Sequence, residues 1–155
     1  MEVQDTKMDK QSIIAMASKL ITSNEGCVLK SYKDTAGVWT IGYGTTFINN
    51  KPVVSGMSIT QNDAINYLAN DVGVLYDKIS VKLPNLSANQ MVAILDFSYN
   101  VGLNAFFGST MYKYLSGGKI SQASGQFLLW VYSNGKKLSG LVRRRTEEKQ
   151  IFDKG

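Results

Sequence analysis

The sequence contains no histidine, and its 155 residues include a single cysteine, Cys27. Without an imidazole, Ser-His-Asp and Cys-His nucleophile systems are excluded, and so are the usual catalytic zinc sites, which take histidine among their ligands. A lone cysteine can form neither an internal disulfide nor a cysteine-rich metal site. Any general acid–base chemistry must therefore use carboxylates, lysine, tyrosine or water. We expect no metal and no cofactor.

Long apolar segments are missing as well. No stretch approaches the roughly 20 apolar residues that a membrane-spanning helix needs. Residues 1–11 are polar and of mixed charge, and they lack the apolar core of a secretory signal. We therefore expect no stable membrane insertion and no signal peptide in this chain.

The charge is unevenly distributed along the chain. Residues 1–96 carry eight basic and nine acidic side chains, whereas residues 97–155 carry nine basic and three acidic ones. A basic half suits a polyanionic partner such as nucleic acid, an anionic lipid surface or a bacterial cell-wall polymer, although a net charge of +5 also serves solubility. No nucleic-acid-binding motif accompanies it, so we expect no nucleic-acid partner.

The apolar periodicity changes along the first half of the chain. Residues 9–23 predict an amphipathic helix that ends near Glu25. Residues 27–47 are rich in β-branched and aromatic side chains punctuated by glycine, which predicts two or three short strands. A loop is expected over residues 49–52, and Thr60 begins a long helix of about 20 residues with an N-cap signal.

The second half of the chain is predicted to be helical. A capping box at residues 87–90 begins a strongly apolar helix, which should be buried nearly all round. Shorter helices are expected over residues 109–115, 121–132 and 140–152. The order of elements predicts an α+β fold and one domain over residues 1–155, with a small N-terminal sheet lobe (about 12–60), a connecting helix (about 60–80) and a helical lobe (about 81–155).

Two carboxylates stand out in the sheet region. Between Lys10 and Asn62 the only acidic residues are Glu25 and Asp34. Glycoside hydrolysis uses such a pair, one carboxyl as the proton donor and the other to activate water or stabilise positive charge. Carboxylates beside turns are also common on protein surfaces, so spacing alone leaves an ordinary structural role open.

The residues around this pair carry a more specific signal. The run from Glu25 through Asp34 to WTIGYG at residues 39–44 resembles the active-site signature of the phage-type lysozymes, the muramidase endolysins. Residues 90–102 (QMVAILDFSYNVG) are similar to the buried helix of that family. The C-terminal block at residues 127–148 is similar too, so the resemblance runs from about residue 14 to 152.

This resemblance implies an enzyme that cleaves the β-1,4 bond between N-acetylmuramic acid and N-acetylglucosamine in bacterial peptidoglycan. Glu25 matches the catalytic acid, Asp34 the second carboxylate, and Thr40 the hydroxyl residue that holds the attacking water and can donate to Asp34. A lytic transglycosylase and a non-catalytic peptidoglycan-binding module are the alternatives. The protein is expected to be a monomer that is made in the cytoplasm of a bacterial host and acts in the periplasm or cell wall.

Three further residues are implied in substrate binding. Tyr43 can stack on a sugar face or pack in the core, and Asn100 can face the cleft or cap its helix. Among the consecutive arginines 143–145, helical geometry spreads the side chains over roughly 200°. Arg144 is expected to point into the cleft and pair with Glu25 or a substrate carboxylate, with its two neighbours at the surface.

Two positions depart from the family pattern. Thr45 stands where these lysozymes usually have a histidine, and we expect that difference to affect stability rather than chemistry. Cys27 lies two residues after Glu25. Because it has no internal partner for thiol exchange, we interpret it as a small half-buried residue.

Overall fold

The structure is a computed structural model, and it describes residues 8–155. Helix α1 spans Lys10–Asn24 and begins at Asp9, whose side chain accepts a hydrogen bond from the backbone N–H of Ser12 at 2.8 Å. The helix ends at Glu25, which adopts an extended backbone (φ −105°, ψ 142°) while its N–H still bonds to the carbonyl of Ile21 at 2.8 Å. The predicted helix is thus confirmed, and Glu25 is the first residue beyond it.

The next two strands form an antiparallel hairpin. Strand β1 (Val28–Lys33) pairs with β2 (Trp39–Gly42), and Tyr32 lies opposite Thr40. The turn between them contains Gly37 with φ +81°, a conformation that glycine adopts without steric cost. Asp34 lies in the turn of this hairpin, which is the first element pair after α1.

A second hairpin occupies the segment that was predicted to be a loop. Strands β3 (Phe47–Ile48) and β4 (Lys51–Pro52) are antiparallel, so the predicted loop is confirmed at residues 49–50, which form the turn, and was wrong at residues 51–52. Asn49 and Asn50 both have positive φ (51° and 63°), which is the backbone of a two-residue hairpin turn. Asparagine is one of the few non-glycine residues that tolerate this conformation.

The long connecting helix is present. Helix α2 spans Gln61–Lys82, and Thr60 and Asp63 form a reciprocal capping box at its N-terminus. The box satisfies two backbone N–H groups that would otherwise lack helical partners.

The apolar helix is also confirmed. Helix α3 spans Ala88–Val101 behind a capping box of Ser87 and Gln90, and eight consecutive residues from Met91 to Ser98 are buried. It packs against α1 on one side and the C-terminal helix on the other. Such surroundings explain why nearly its whole circumference is apolar.

The C-terminal part is helical with one small hairpin. Three short helices come first: α4 (Leu103–Phe107), α5 (Thr110–Ser116) and α6 (Ile120–Ser124). They are followed by a 3₁₀ turn (Phe127–Leu129), strands β5 (Tyr132–Ser133) and β6 (Lys136–Lys137), and the last helix, α7 (Ser139–Asp153). The helix expected over residues 121–132 was therefore wrong beyond Ser124. Asn134 and Gly135 form the hairpin turn, with φ 51° and 77°.

The elements form an α+β fold, as predicted, in which the helices supply most of the core. Phe97 of α3 lies at its centre and makes edge-to-face contacts with Phe106, Phe127 and Trp130 at ring centroid distances of 5.3–6.2 Å. Such pairs add stability beyond simple burial. Within residues 8–155 no helix combines the length and the hydrophobicity of a membrane span.

Candidate active site

The carboxylate of Glu25 lies where α1 ends, against helix α7. Its Oε1 accepts a hydrogen bond from Nη1 of Arg144 at 2.7 Å, and 30% of its side chain is exposed. The expected contact between these two residues is present. The partial exposure leaves the carboxyl group accessible to a ligand.

Arg144 is held by a second carboxylate that is fully buried. Its Nε donates to Oδ2 of Asp96 at 2.9 Å and its Nη2 to Oδ1 at 3.1 Å, so Asp96 occupies one whole edge of the guanidinium. Burial by itself lowers the pKa of Arg144, but the bonds to Asp96 and Glu25 outweigh that effect and raise it. The guanidinium therefore stays charged.

Arg145 is buried, and the prediction that it lies at the surface was wrong. Its guanidinium contacts the carboxylate of Glu148, donates to the carbonyl of Trp130 at 3.0 Å, and lies 4.9 Å from the ring centre of Phe97. Helix α7 packs on α3 and also on the 3₁₀ turn, which covers two adjacent faces of the helix. Arg143 is exposed, as expected.

Asn100 lies at the C-terminal end of α3, where its residue is exposed. Its side-chain oxygen accepts a hydrogen bond from Nη2 of Arg145, which ties the end of α3 to α7. Its amide group is thus near the surface beside the arginine cluster, and its side-chain oxygen is already engaged.

Asp34 and Thr40 lie on the β1–β2 hairpin. Asp34 is exposed, and its Oδ1 accepts the backbone N–H groups of Ala36 and Val38, both at 2.9 Å. The hydroxyl of Thr40 donates to the carbonyl of Val38 at 2.9 Å, so the expectation that it donates to Asp34 is corrected. Its oxygen keeps lone pairs that can accept from a water molecule.

Tyr43 packs in the hydrophobic core rather than on an open face. It is 9% exposed, and its hydroxyl accepts from the side chain of Gln61 at 2.7 Å. A ring enclosed in this way offers no face to a sugar, so of the two interpretations the structure supports core packing. Cys27 is half-buried against the same core, as expected.

A cavity of about 640 Å³ lies between the β3–β4 hairpin, helix α2 and the end of α3. Tyr99 stands at its wall, with its hydroxyl 3.1 Å from the position that a Cβ on Gly44 would take and bonded to the carbonyl of Tyr43 at 2.5 Å. Burial, together with the charges of Asp71 and Glu25, raises the pKa of Tyr99. The tyrosine at the cavity wall therefore stays neutral.

Thr45 is buried and contacts the long helix α2. It is 1% exposed, and its hydroxyl donates to Oδ2 of Asp71 on α2 at 2.8 Å. Burial raises the pKa of Asp71, and the bond from Thr45 opposes this rise. The bond connects the strand region to the long helix.

Two carboxyl groups that were not among the predicted site residues, Asp96 and Glu148, are both 0% exposed. The sequence did contain a signal for Asp96, because this acidic residue directly follows the apolar run Met91–Leu95 of α3. A charge buried in such surroundings needs a partner. Among residues 8–155 no group of three or more histidine, cysteine, aspartate or glutamate side chains is arranged to hold a metal ion.

Comparison with known proteins decides the family. A profile described as "Phage lysozyme" matches residues 22–148, which includes Glu25, the β1–β2 hairpin and the arginines of α7. The chain belongs to the phage lysozyme family. That assignment covers the small hairpins and the helical part alike.

Individual members of the phage lysozyme family are similar along most of the chain. The endolysin of Acyrthosiphon pisum secondary endosymbiont phage 1 is 39% identical over 86% of this chain and 92% of its own length. The endolysin of Bacillus phage PZA is 38% identical over 88% of this chain but only 53% of its own length. The chain thus spans about half of that relative.

The fold is shared with solved phage lysozymes. A point mutant of P22 lysozyme superposes with a TM-score of 0.73 at 32% identity, covering 88% of this chain and 94% of the other. The α+β lysozyme architecture therefore extends over almost all of the described residues.

Proposed function

We propose that this protein is a muramidase that hydrolyses the β-1,4 bond between N-acetylmuramic acid and N-acetylglucosamine in bacterial peptidoglycan. The observation that carries the proposal is the position of Glu25: a partly exposed carboxyl at the end of α1, held by the buried Arg144. The names of its relatives, endolysins and phage lysozymes, support the same substrate class.

In the proposed reaction Glu25 is the general acid. Its protonated carboxyl gives a proton to the glycosidic oxygen as the bond to the anomeric carbon breaks. Water adds to that carbon, and its proton passes to the carboxylate of Asp34. The backbone N–H groups of Ala36 and Val38 donate to Oδ1 of Asp34 and fix the orientation of its carboxylate.

Thr40 is proposed to hold the attacking water. Its hydroxyl proton is committed to the carbonyl of Val38, so the oxygen is an acceptor with a fixed direction. A water that donates to Thr40 and to Asp34 would be aligned for attack without losing its own nucleophilic lone pair.

The polysaccharide is proposed to lie along the cavity beside Tyr99, where Asn49, Asn70 and Asp71 supply polar groups among apolar ones. Such a mixed lining suits sugars, which present hydroxyl and acetamido groups together with apolar ring faces. Asn100 is proposed to contact the substrate through its amide N–H₂ group, because its side-chain oxygen is engaged by Arg145, and Arg144 is proposed to act by holding Glu25.

The site of action is proposed to be the cell wall or periplasm of a bacterial host, after synthesis in its cytoplasm. The protein is proposed to act there as a monomer. The surplus of positive charge in residues 97–155 fits an anionic wall polymer.

Mass spectrometry of the products formed by the wild-type protein from purified peptidoglycan tests this reaction. A hydrolase adds water and leaves a reducing N-acetylmuramic acid end. A 1,6-anhydro end would identify a lytic transglycosylase, which uses one acid and no water. Binding without any released fragment would identify a non-catalytic module.

A further inference from the structure

Asp96 sits behind the proposed catalytic acid and does not touch it. Both of its oxygens bind one edge of Arg144, at 2.9 and 3.1 Å, and this orients the remaining Nη1 towards Glu25 at 2.7 Å. Asp96 is on α3 and Glu25 follows α1, so the guanidinium on α7 connects three elements. A bidentate contact of this kind restricts rotation of the guanidinium.

We propose that Asp96 is a positioning residue for Glu25, which fixes Arg144 in place and offsets its positive charge so that Glu25 keeps the proton it must donate. This inference rests on the proposed role of Glu25 as the general acid. It assigns a function to a buried carboxylate that the proposed reaction itself does not use.

Arg144 is a cation in direct contact with Glu25. A cation in contact with a carboxyl group favours its ionised form and lowers its pKa, typically by about 1–3 units. A general acid must instead be protonated near the working pH. Asp96 contacts the same guanidinium at 2.9 and 3.1 Å, against 2.7 Å for Glu25, so its negative charge offsets positive charge of Arg144.

A third carboxyl group, Glu148, decides which residue carries this negative charge. It is 0% exposed; Oε1 contacts Arg145, and Oε2 lies 3.9 Å from Nε of Arg144 without a hydrogen-bond partner among the described residues. Burial raises the pKa of Glu148 most, followed by side-chain hydrogen bonding with Asp96 and then by the negative charge of Asp96. A neutral Glu148 leaves Asp96 as the anion that balances Arg144.

The other titratable groups near Glu25 do not supply this balance. Tyr99 of α3 interacts electrostatically with Glu25, Arg144, Asp71 and Tyr32, and its raised pKa keeps it neutral. The guanidinium of Arg145 is engaged by Glu148, Asn100 and the carbonyl of Trp130, and none of its hydrogen bonds among the described residues reaches Glu25.

The experiment measures the pKa of Glu25 directly, by NMR titration of its side-chain carboxyl carbon, in the wild type and in Asp96→Asn. We expect the pKa to fall by about one unit, because Arg144 then has Glu25 as its nearest anion. Ionisation of Glu148 in this variant can supply part of the missing charge, which limits the fall. Asp77→Asn, which removes an exposed aspartate paired with Lys10, is the matched control and should leave the pKa in place.

The pH profile of kcat/KM on soluble peptidoglycan fragments gives the second readout. In Asp96→Asn the alkaline limb of the profile should move to lower pH by the same amount. At pH values on that limb the activity should be about tenfold lower than in the wild type, and on the acidic side it should change little. A uniform loss at every pH would show a merely structural role and would overturn the proposal.

The double variant Asp96→Asn, Arg144→Gln tests whether Asp96 acts through Arg144. Removing the charged pair together leaves no buried unpaired cation, and the pKa of Glu25 should return to the wild-type value or rise above it. A pKa as low as in Asp96→Asn alone would contradict the proposal. Because the titration needs no turnover, an inactive wild type would reject the proposed function without deciding this inference.

Discussion

At the scale of single residues, the site depends on where two short interruptions of regular structure occur. Glu25 leaves α1 in an extended conformation, and the β1–β2 turn presents Asp34 with its backbone bonds satisfied. Thr40 is 4% exposed, so its hydroxyl has a single direction set by Val38. Under the proposed mechanism these three side chains would need little rearrangement before the reaction.

Thr40→Val tests the proposed water position. Valine has nearly the same shape, so the site keeps its packing but loses the hydroxyl. We expect kcat to fall by about 100-fold, the scale of a misplaced nucleophile, while the lost bond to Val38 costs roughly 1 kcal/mol of stability. Steady-state hydrolysis and thermal unfolding measure both effects. Thr40→Ser, which keeps the hydroxyl, should retain most of the activity; equal losses in both variants would argue against a water-holding role.

The departure from the family pattern at Thr45 also concerns a single residue. Thr45, at the place where a histidine is usual in the family, bonds to Asp71 and takes no part in the arginine cluster. A single hydrogen bond of this kind contributes roughly 1 kcal/mol to stability. The effect of Thr45 on stability stays a prediction.

At the scale of elements, the sequence predicted the three helices α1, α2 and α3 well because each begins with a local capping signal. Residues 60–63 and 87–90 are capping boxes, and both form. The β3–β4 and β5–β6 hairpins were missed, since strands of two residues are too short to show an alternating pattern. Their Asn-Asn and Asn-Gly turns were the available signals, and both were interpreted as loops or breaks.

Thr60→Ala tests how far a cap stabilises the long helix. The variant loses the bond to the N–H of Asp63, and we expect the free energy of unfolding to decrease by about 1 kcal/mol. Urea denaturation followed by circular dichroism measures the change. Thr146→Ala, an exposed threonine inside α7, is the control and should be near neutral; a larger loss there than at Thr60 would refute the capping argument.

The contact between α3 and α7 was only partly predictable. Asp96 and Arg144 are 48 residues apart in sequence, and Glu148 faces both arginines from the next turn of α7. Periodicity indicates which side of a helix is apolar, but it does not show that a neighbouring element covers a second side. Arg145 was misplaced for this reason.

Glu148→Gln tests the protonation state at this contact. Burial and the charge of Asp96 raise the pKa of Glu148 to about 10, so between pH 5 and 9 the folded protein holds a proton that the unfolded chain releases. The free energy of unfolding of the wild type should therefore decrease as pH rises through this window. Glutamine does not titrate, so the melting temperature of the variant relative to wild type should increase with pH. A constant difference from pH 5 to 9 would show that Glu148 is ionised when folded.

At the scale of the whole molecule, the charge distribution supports the proposed target. The basic surplus lies in residues 97–155, and part of it is buried in the cluster of Arg144 and Arg145 and so is unavailable to a partner. Exposed cations remain at Lys136, Lys137 and Arg143. A wall polymer would meet these groups on the outside of the helical part.

Salt dependence tests this electrostatic contribution. The Glu25→Gln variant, which binds without cutting under the proposed mechanism, can be sedimented with purified cell walls at increasing salt concentration. We expect the bound fraction to decrease with salt, since exposed charges farther apart than the Debye length are screened from each other, and this length falls from about 10 Å at 0.1 M as salt is added. Adding Lys136→Gln and Lys137→Gln should reduce the salt dependence. An affinity that does not change with salt would argue against the charge model.

The most direct test of the central claim is the clearing of purified cell walls by Glu25→Gln and by wild-type protein. Glutamine can still accept the bond from Arg144, so the variant should fold with nearly unchanged melting temperature. It cannot donate the catalytic proton, and we predict that clearing is abolished, with Asp34→Asn nearly as severe. Clearing at the wild-type rate by a folded Glu25→Gln protein would contradict the account.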